Sequence, residues 1–383
     1  MTAPVLFEQL VCANGKIVGV ATLNAPKALN ALSLEMVDAL QAQLSAWAAD
    51  PEVAMLVLQG EGERALCAGG DLQGLYRSLT ASAGSDAEAQ TTRLTVPDYV
   101  AEFFEREYRL DHFLHHYPKP ILCWGHGVVM GGGMGLMVGA SHRVVTEQSR
   151  LAMPEVSIGL FPDVGGSWFL NRVPVNAGLF LALTASQLRA ADALFAGWAD
   201  HHVPNERKAA VMQALIAQAW GDTRLVNDAL LTRVLVELHT APDPAPGALQ
   251  QNLATIERIC AADTLEEVVA GITRAEGDGP WMHAAATTMK AGAPGTVRLA
   301  YEILRRTRGL SLADVFRVEF TAVMHCTAQP DITEGIRALL IDKDRNPSWQ
   351  PATLAEADEA WVQRFFVPLA DNPAAHPLAD LRD

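Results

Sequence analysis

The chain has 383 residues, half of them hydrophobic, and a formal net charge of −15 at pH 7, with a pI near 5.2. That length suits one large domain plus an appended part, and the apolar content is ample for a core, so disorder is not the default. The acidic balance, with no run of Lys or Arg, argues against nucleic acid or an anionic membrane as a partner, and an anionic ligand would need local cations or backbone N–H donors.

In chain order, the opening MTAPVLFEQLVCANGK has no basic segment followed by an apolar one, so no signal or transit peptide is expected. Ile17–Leu23 (IVGVATL) is predicted as a strand. Ser33 is placed to N-cap a helix whose apolar residues Met36, Val37, Leu40, Leu44 and Trp47 fall on one face. Ala54–Gly60 (AMLVLQG) reads as a buried strand and is followed by ERALCAGGDL. Ser78–Thr95 is small, polar and aperiodic, which predicts a surface loop; its place directly after CAGGDL suits a lid.

Asp111, His112, His115 and His116 have a helical spacing that a metal could use. Without an HExxH pattern, they are expected on a solvated helix face, as are His201 and His202, and no metal is predicted. Pro120–Ala140 (PILCWGHGVVMGGGMGLMVGA) has the apolarity of a membrane span but holds seven glycines. A helix would lose roughly 1 kcal/mol at each relative to alanine. A buried strand, a glycine turn and a tightly packed helix are expected instead. HRVVTE, from His142, supplies another strand. The alternation of strand and helix predicts an α/β core with much parallel sheet.

Ala241–Gly247 (APDPAPG) reads as a stiff linker. Beyond it the periodicity is mostly helical, as over Ser311–Cys326, where Ser311 is a candidate N-cap and Val315, Phe316 and Val323 share a face. The expected division is a core over 1–240 and a helical region over 248–383. The five cysteines, Cys12, Cys67, Cys123, Cys260 and Cys326, are dispersed with no CxxC pair. They predict reduced, mostly buried thiols in a cytoplasmic protein.

Several chemistries find no support: there is no GxSxG elbow, no GxxxxGK[ST] loop, and the glycine run does not fit GxGxxG. What stands out is Met153–Gly166, MPEVSIGLFPDVGG, whose only ionisable residues are Glu155 and Asp163. Two carboxyls in an apolar setting push each other's titration apart, which suits a site needing one acid and one base. Three glycine-rich turns remain as well, CAGGDL, GHGVVMGGGMG and FPDVGG. Such turns free backbone N–H groups for a ligand, and two facing one another would form an oxyanion hole suited to acyl chemistry.

Taken together, LNAPKALNALSLEMV, ERALCAGGDL, HGVVMGGGMGLMVGASHRVVTE and MPEVSIGLFPDVGGSWFLNRVP, in this order, resemble the crotonase (enoyl-CoA hydratase/isomerase) superfamily. The added segments FFEREYRL, GLFPDVGG and DITEGIRALLIDKDRNPSWQP are similar to the branch whose members hydrolyse 3-hydroxyisobutyryl-CoA, and with them the likeness covers nearly the whole chain. The resemblance implies a crotonase-like ββα spiral core with a helical C-terminal region. It implies that Gly70 and Gly132 hold the thioester oxygen and that Glu155 and Asp163 are the catalytic carboxylates. It places Glu107 against substrate, and Lys27, Ala28, Leu29, Ala68, Asp71 and Leu72 in segments that cradle CoA.

The implied partner is a short-chain acyl-CoA, with a homo-oligomer allowed and neither nucleic acid nor membrane involved. No metal or redox cofactor is implied, because CoA arrives with the substrate. Hydratases of the superfamily carry a glutamate where Gly135 stands and commonly a glycine where Asp163 stands. These departures disfavour hydration and leave an isomerase as the main rival to hydrolysis.

Overall fold

In the computed structural model of the chain, residues 3–82 and 94–383 are described. They fall into two compact units, each assembled from separate stretches of chain. Met1–Gly70, Leu110–Ala152 and Gln187–Gln251 form the first; Asp71–Arg109, Met153–Ser186 and Asn252–Asp383 form the second.

All strands among the described residues lie in the first unit. They are β1 (Val5–Val11), β2 (Ile17–Leu23), β3 (Val53–Gly60), β4 (Ala65–Cys67), β5 (Ile121–Gly125), β6 (Val128–Met130), β7 (His142–Val145), β8 (Arg150–Ala152) and β9 (His201–His202). The larger sheet has the order β1-β2-β3-β5-β7-β9 and the smaller one β4-β6-β8. Only β1 and β2 pair antiparallel; every later pairing is parallel. Each step of the spiral is therefore a strand in the large sheet followed by a strand in the small one. The helices α1 (Leu34–Ala49), α2 (Leu72–Ser82) and α4 (Gly132–Val138) follow strands β2, β4 and β6, and α3 (Asp98–His115) follows α2. This is the ββα arrangement that the family resemblance implied.

The strand pattern explains the layers. Val18 and Val20 of β2, with Val57, Leu122, Trp124 and Val144 of the neighbouring strands, pack on Val211, Leu215, Leu231 and Leu235 of two later helices. Gly19, on the opposite face of β2, lies so close to α1 that a Cβ there would sit 2.9 Å from the Trp47 ring. A side chain at that position would push the helix away. The five buried residues of α1 are those that its periodicity marked.

The second unit is helical. Its helix Leu312–Thr327 is capped by the Ser311 side chain, which accepts the Asp314 N–H, and buries Val315, Phe316 and Val323. All five cysteines are free and buried. Among the described residues no helix is long and apolar enough to cross a membrane.

Three local expectations need correction. The polar stretch Ser78–Thr95 does not begin as a loop, because α2 continues to Ser82; residues 83–93 of the supposed lid lie outside the described residues. Asp111 and His112 are buried, not solvated, and the His112 ring stacks on His116 at 4.3 Å. His202 is buried on β9, with its Nδ1 3.0 Å from the Thr240 carbonyl oxygen.

Candidate active site

In the first unit, two glycine turns follow the C-terminal ends of the adjacent parallel strands β4 and β6. Gly131, with φ 52° and ψ −125°, stands ahead of α4 in a conformation that only glycine adopts comfortably. Gly133 meets the end of β4 so closely that a Cβ would come within 2.3 Å of the Cys67 carbonyl oxygen. The turns face each other: a Cβ on Gly69 would lie 3.4 Å from Met130 O and 4.0 Å from the Gly132 nitrogen.

The backbone around the first turn is held by Leu32 N–H donating to Gly69 O (2.8 Å) and Ala68 N–H donating to Leu29 O (3.0 Å). Those bonds bring the expected segments Lys27–Leu29 and Ala68–Gly70 side by side. Lys27 and Ala28 belong to an exposed 3-10 turn, and Leu29 closes it in the left-handed region at φ 54°. The buried Asn30 supports this turn, accepting the Ala25 N–H and donating to Glu61 O and Ala65 O. No acceptor among the described residues takes the Gly70 or Gly132 N–H. Gly132 opens a helix, where the first N–H groups have no intrahelical partner.

In the second unit, Asp71 caps α2, its Oδ1 accepting the Gly74 N–H at 3.1 Å, and Leu72 is the first residue of that helix. Here Asp71 has a visible structural task beside the ligand role that the resemblance implies. The carboxylates are more telling. Glu155 starts a 3-10 turn closed by Gly159 at φ 73°. Asp163 precedes two residues in the left-handed region, Val164 (φ 54°) and Gly165 (φ 78°). A β-branched residue there is strained, and strain of this kind is kept only where surrounding contacts over-determine it.

Those contacts come from two residues that sequence reasoning did not single out. Glu319, fully buried on Leu312–Thr327, accepts the Gly165 N–H (2.7 Å), the Ser167 N–H (2.9 Å) and the Ser167 hydroxyl (2.5 Å). Tyr108 of α3 donates its phenol to Asp163 Oδ2 at 2.7 Å. The signal for Tyr108 was present in FFEREYRL: Phe103, Phe104, Glu107 and Tyr108 recur at the i, i+3, i+4 spacing of one buried face. For Glu319 no local signal exists, because its partners lie about 150 positions away.

Glu155 and Asp163 are each 4% exposed and Glu107 2%. Neither Glu107 Oε1 nor Glu155 Oε2 has a hydrogen-bond partner among the described residues. None of the four acids forms an ion pair there with a Lys or Arg. Burial first, and then the Asp163 charge, push Glu155 and Glu107 well above the ordinary carboxyl range. Asp163 is raised by burial to about 7, opposed by the Tyr108 hydrogen bond. Burial lifts Glu319 to about 8 against the pull of its Ser167 bonds. The Tyr108 hydrogen bond favours the charged form of Asp163, whereas burial and the Asp163 charge both disfavour charge on Glu155. The arrangement can supply a base and an acid at the same pH.

The chain is similar to known proteins over most of its length. The profile of the family described as Enoyl-CoA hydratase/isomerase matches residues 18–366. Among curated relatives, the 3-hydroxyisobutyryl-CoA hydrolase, mitochondrial, of Gallus gallus is 36% identical over 92% of this chain and 87% of its own. The Homo sapiens protein of the same name is 33% identical over 96% and 89%. A solved structure titled as a carnitinyl-CoA dehydratase from Mycobacterium thermoresistibile matches with TM-score 0.81 and 36% identity, covering 96% of this chain and 97% of its own. Another, titled as an enoyl-CoA hydratase from Rhodobacter sphaeroides, matches at 0.79 and 33%, covering 96% and 98%.

The cytoplasmic placement expected from the sequence is corrected by these relatives, whose names are mitochondrial. Dispersed, buried thiols suit any reducing compartment, so they could not discriminate. From the matched length, the shared fold and the motif order, the chain belongs to the enoyl-CoA hydratase/isomerase family.

Proposed function

We propose that the chain is an acyl-CoA thioester hydrolase that cleaves 3-hydroxyisobutyryl-CoA to 3-hydroxyisobutyrate and free CoA in valine degradation. The observation that carries this reading is the buried pair Glu155 and Asp163, with titrations split by burial and by a phenol donor. The names of the curated relatives support the substrate.

In this reading Asp163, as the carboxylate, orients water and takes its proton while the water oxygen bonds to the thioester carbon. The Gly70 and Gly132 N–H groups hold the developing oxyanion; preorganised donors of that kind supply much of the stabilisation in acyl transfer. As the C–S bond breaks, Glu155 gives its proton to the departing thiolate, so that CoA leaves as the thiol. Burial works against an ionised Glu155, so the base is assigned to Asp163 and the acid to Glu155. Glu107 binds the acyl hydroxyl. Lys27–Leu29 and Ala68–Leu72 receive the CoA portion, with the exposed Lys27 as the cation an anionic ligand needs in an acidic protein. The reaction calls for no cofactor, since CoA is part of the substrate.

A second reading, hydration or isomerisation of a short enoyl-CoA, is favoured by the names of the two solved relatives, a carnitinyl-CoA dehydratase and an enoyl-CoA hydratase. Gly135 counts against it, because hydration needs a second glutamate in that position and the helix offers none. One experiment separates the two: a disulfide reagent reports thiol release across a panel of short acyl-CoAs, and enoyl absorbance is followed in parallel on crotonyl-CoA. Thiol release greatest with 3-hydroxyisobutyryl-CoA supports the hydrolase. Loss of enoyl absorbance without thiol release overturns it.

A further inference from the structure

We propose that Tyr108 is a positioning residue for this reaction: its phenol engages one oxygen of Asp163, holding that carboxyl as the carboxylate of the group and presenting the other oxygen to water. The inference rests on the hydrolase reading above and adds to it a residue that decides which acid is the base.

The argument begins with what surrounds Asp163. Glu107 and Tyr108 face it from α3, Glu155 from the 3-10 turn, and Glu319 and Cys326 from the helix Leu312–Thr327. Every one of these is an acid, a thiol or a phenol, and none is a cation. Like charges and burial both oppose ionisation, so a donor to the charged form is the interaction left to favour it. Tyr108 is the only side chain among the described residues that donates to Asp163. Its ring cannot turn away, being fully buried and packed against Phe104 (6.1 Å), Phe316 (5.6 Å) and Phe320 (6.0 Å). Burial and the neighbouring acids push the phenol well above its ordinary value, so it stays a donor at every working pH.

Glu319 prepares the other side of the contact. By taking the Gly165 and Ser167 N–H groups it fixes the strained turn that carries Asp163. The aspartate therefore meets the phenol with both partners held, and a hydrogen bond to a fixed charge keeps its full directional effect.

The test is Tyr108→Phe in the full-length chain, with kcat/KM for thiol release measured from pH 5 to 9 and Tm alongside. A lost bond to an ionised group corresponds to a displacement of roughly one to two pH units. The acid limb should move from about 7 to higher pH by that amount, lowering kcat/KM at pH 7 about 5- to 50-fold, with recovery toward wild type at pH 9. A merely structural role would lower the rate at all pH values and leave the limb in place, and that result overturns the proposal. If the phenylalanine variant does not fold, 3-fluorotyrosine at position 108 replaces it. A stronger donor of nearly the same shape should move the limb down, and a limb that stays or moves up overturns the proposal. NMR titration of carboxyl-labelled aspartate, with Asp163 assigned by Asp163→Asn, reads the same shift without turnover. It separates failure of this inference from failure of the hydrolase reading: an Asp163 titration unmoved by Tyr108→Phe overturns the inference even if thiol release is intact.

Discussion

The two units are built from opposite materials. The first offers turns from which side chains have been removed: Gly131 and Gly133 tolerate no Cβ without a change of backbone or a clash with Cys67. Its useful groups are neutral main-chain N–H donors, set by strands β4 and β6 and indifferent to pH. The second offers side chains that water would stabilise far better, Glu107, Glu155, Asp163 and Glu319, all buried and with no cationic partner among the described residues. The donors of the first unit carry no formal charge, whereas the second stores unfavourable electrostatics of the kind that clusters at functional sites. The comparison predicts that damage to the turns scales rates uniformly across pH, whereas damage to the acids changes both the pH profile and the stability.

The largest effect is expected at Glu155. Glu155→Gln keeps the shape of the side chain but removes the transferable proton, and should lower kcat by about 10³-fold, within the range for a positioned acid or base. Asp163→Asn should also be impaired, and the double variant should lose far less than the product of the single losses, as for residues acting in one step. Thiol-release kinetics on all three variants decide the matter. Strictly multiplicative losses would break the acids into independent contributors.

The turns come second. Gly132→Val should lower kcat by about 10²-fold, the scale of one oxyanion donor, and by the same factor at pH 6 and pH 8. Circular dichroism must show a folded protein, because Gly133 beside it already touches Cys67. A folded variant with unchanged kcat removes Gly132 from the oxyanion hole; a factor that varies with pH denies the turns their independence of the acids.

The same contrast governs what could be read in advance. The strand Ile17–Leu23 and the α1 face behind Ser33 were legible because their residues alternate or recur at the period of the element they build. Glycine turns were legible because a missing Cβ is written in the sequence. Glu155 and Asp163 drew notice through their apolar neighbours, and burial bears that out. Asp111 and His112 were misread as solvated because polar type was weighed above position. They continue the stripe of Phe103, Phe104, Glu107 and Tyr108 and are buried with it. Glu319 resembles any charged residue on an amphipathic helix; its meaning lies in N–H groups of a distant turn. Long-range pairing of polar groups leaves no periodicity.

Stability should record the electrostatics stored in the second unit. Asp163 is raised from 3.8 to about 7, so between those values the folded protein holds a proton that the unfolded chain releases. Stability from this group is complete below about pH 4 and is lost as pH rises through 7. Asp163→Asn cannot ionise and still accepts the Tyr108 hydrogen bond. Its Tm should fall less than wild type between pH 5 and pH 8 and lie roughly 2–5 °C above it at pH 8. Parallel Tm curves for the two proteins would mean that Asp163 carries no such burden.

The smallest effect belongs to a residue of the first unit that no chemistry requires. Ser33, with extended backbone angles, accepts the Met36 N–H at 3.3 Å and so caps α1, whose buried face includes Trp47 against β2. Ser33→Ala leaves one helical N–H without that partner and should cost about 1 kcal/mol. The loss is shared by the whole folded state, because α1 keeps its apolar face and its packing on the sheet. Urea denaturation should show a lower midpoint at unchanged slope, while kcat and the pH profile stay at wild-type values. If Ser33→Ala instead lowered kcat tenfold without unfolding the protein, the glycine turns would depend on the tension of their unit. The donors could then no longer be treated as a passive frame beside reactive acids.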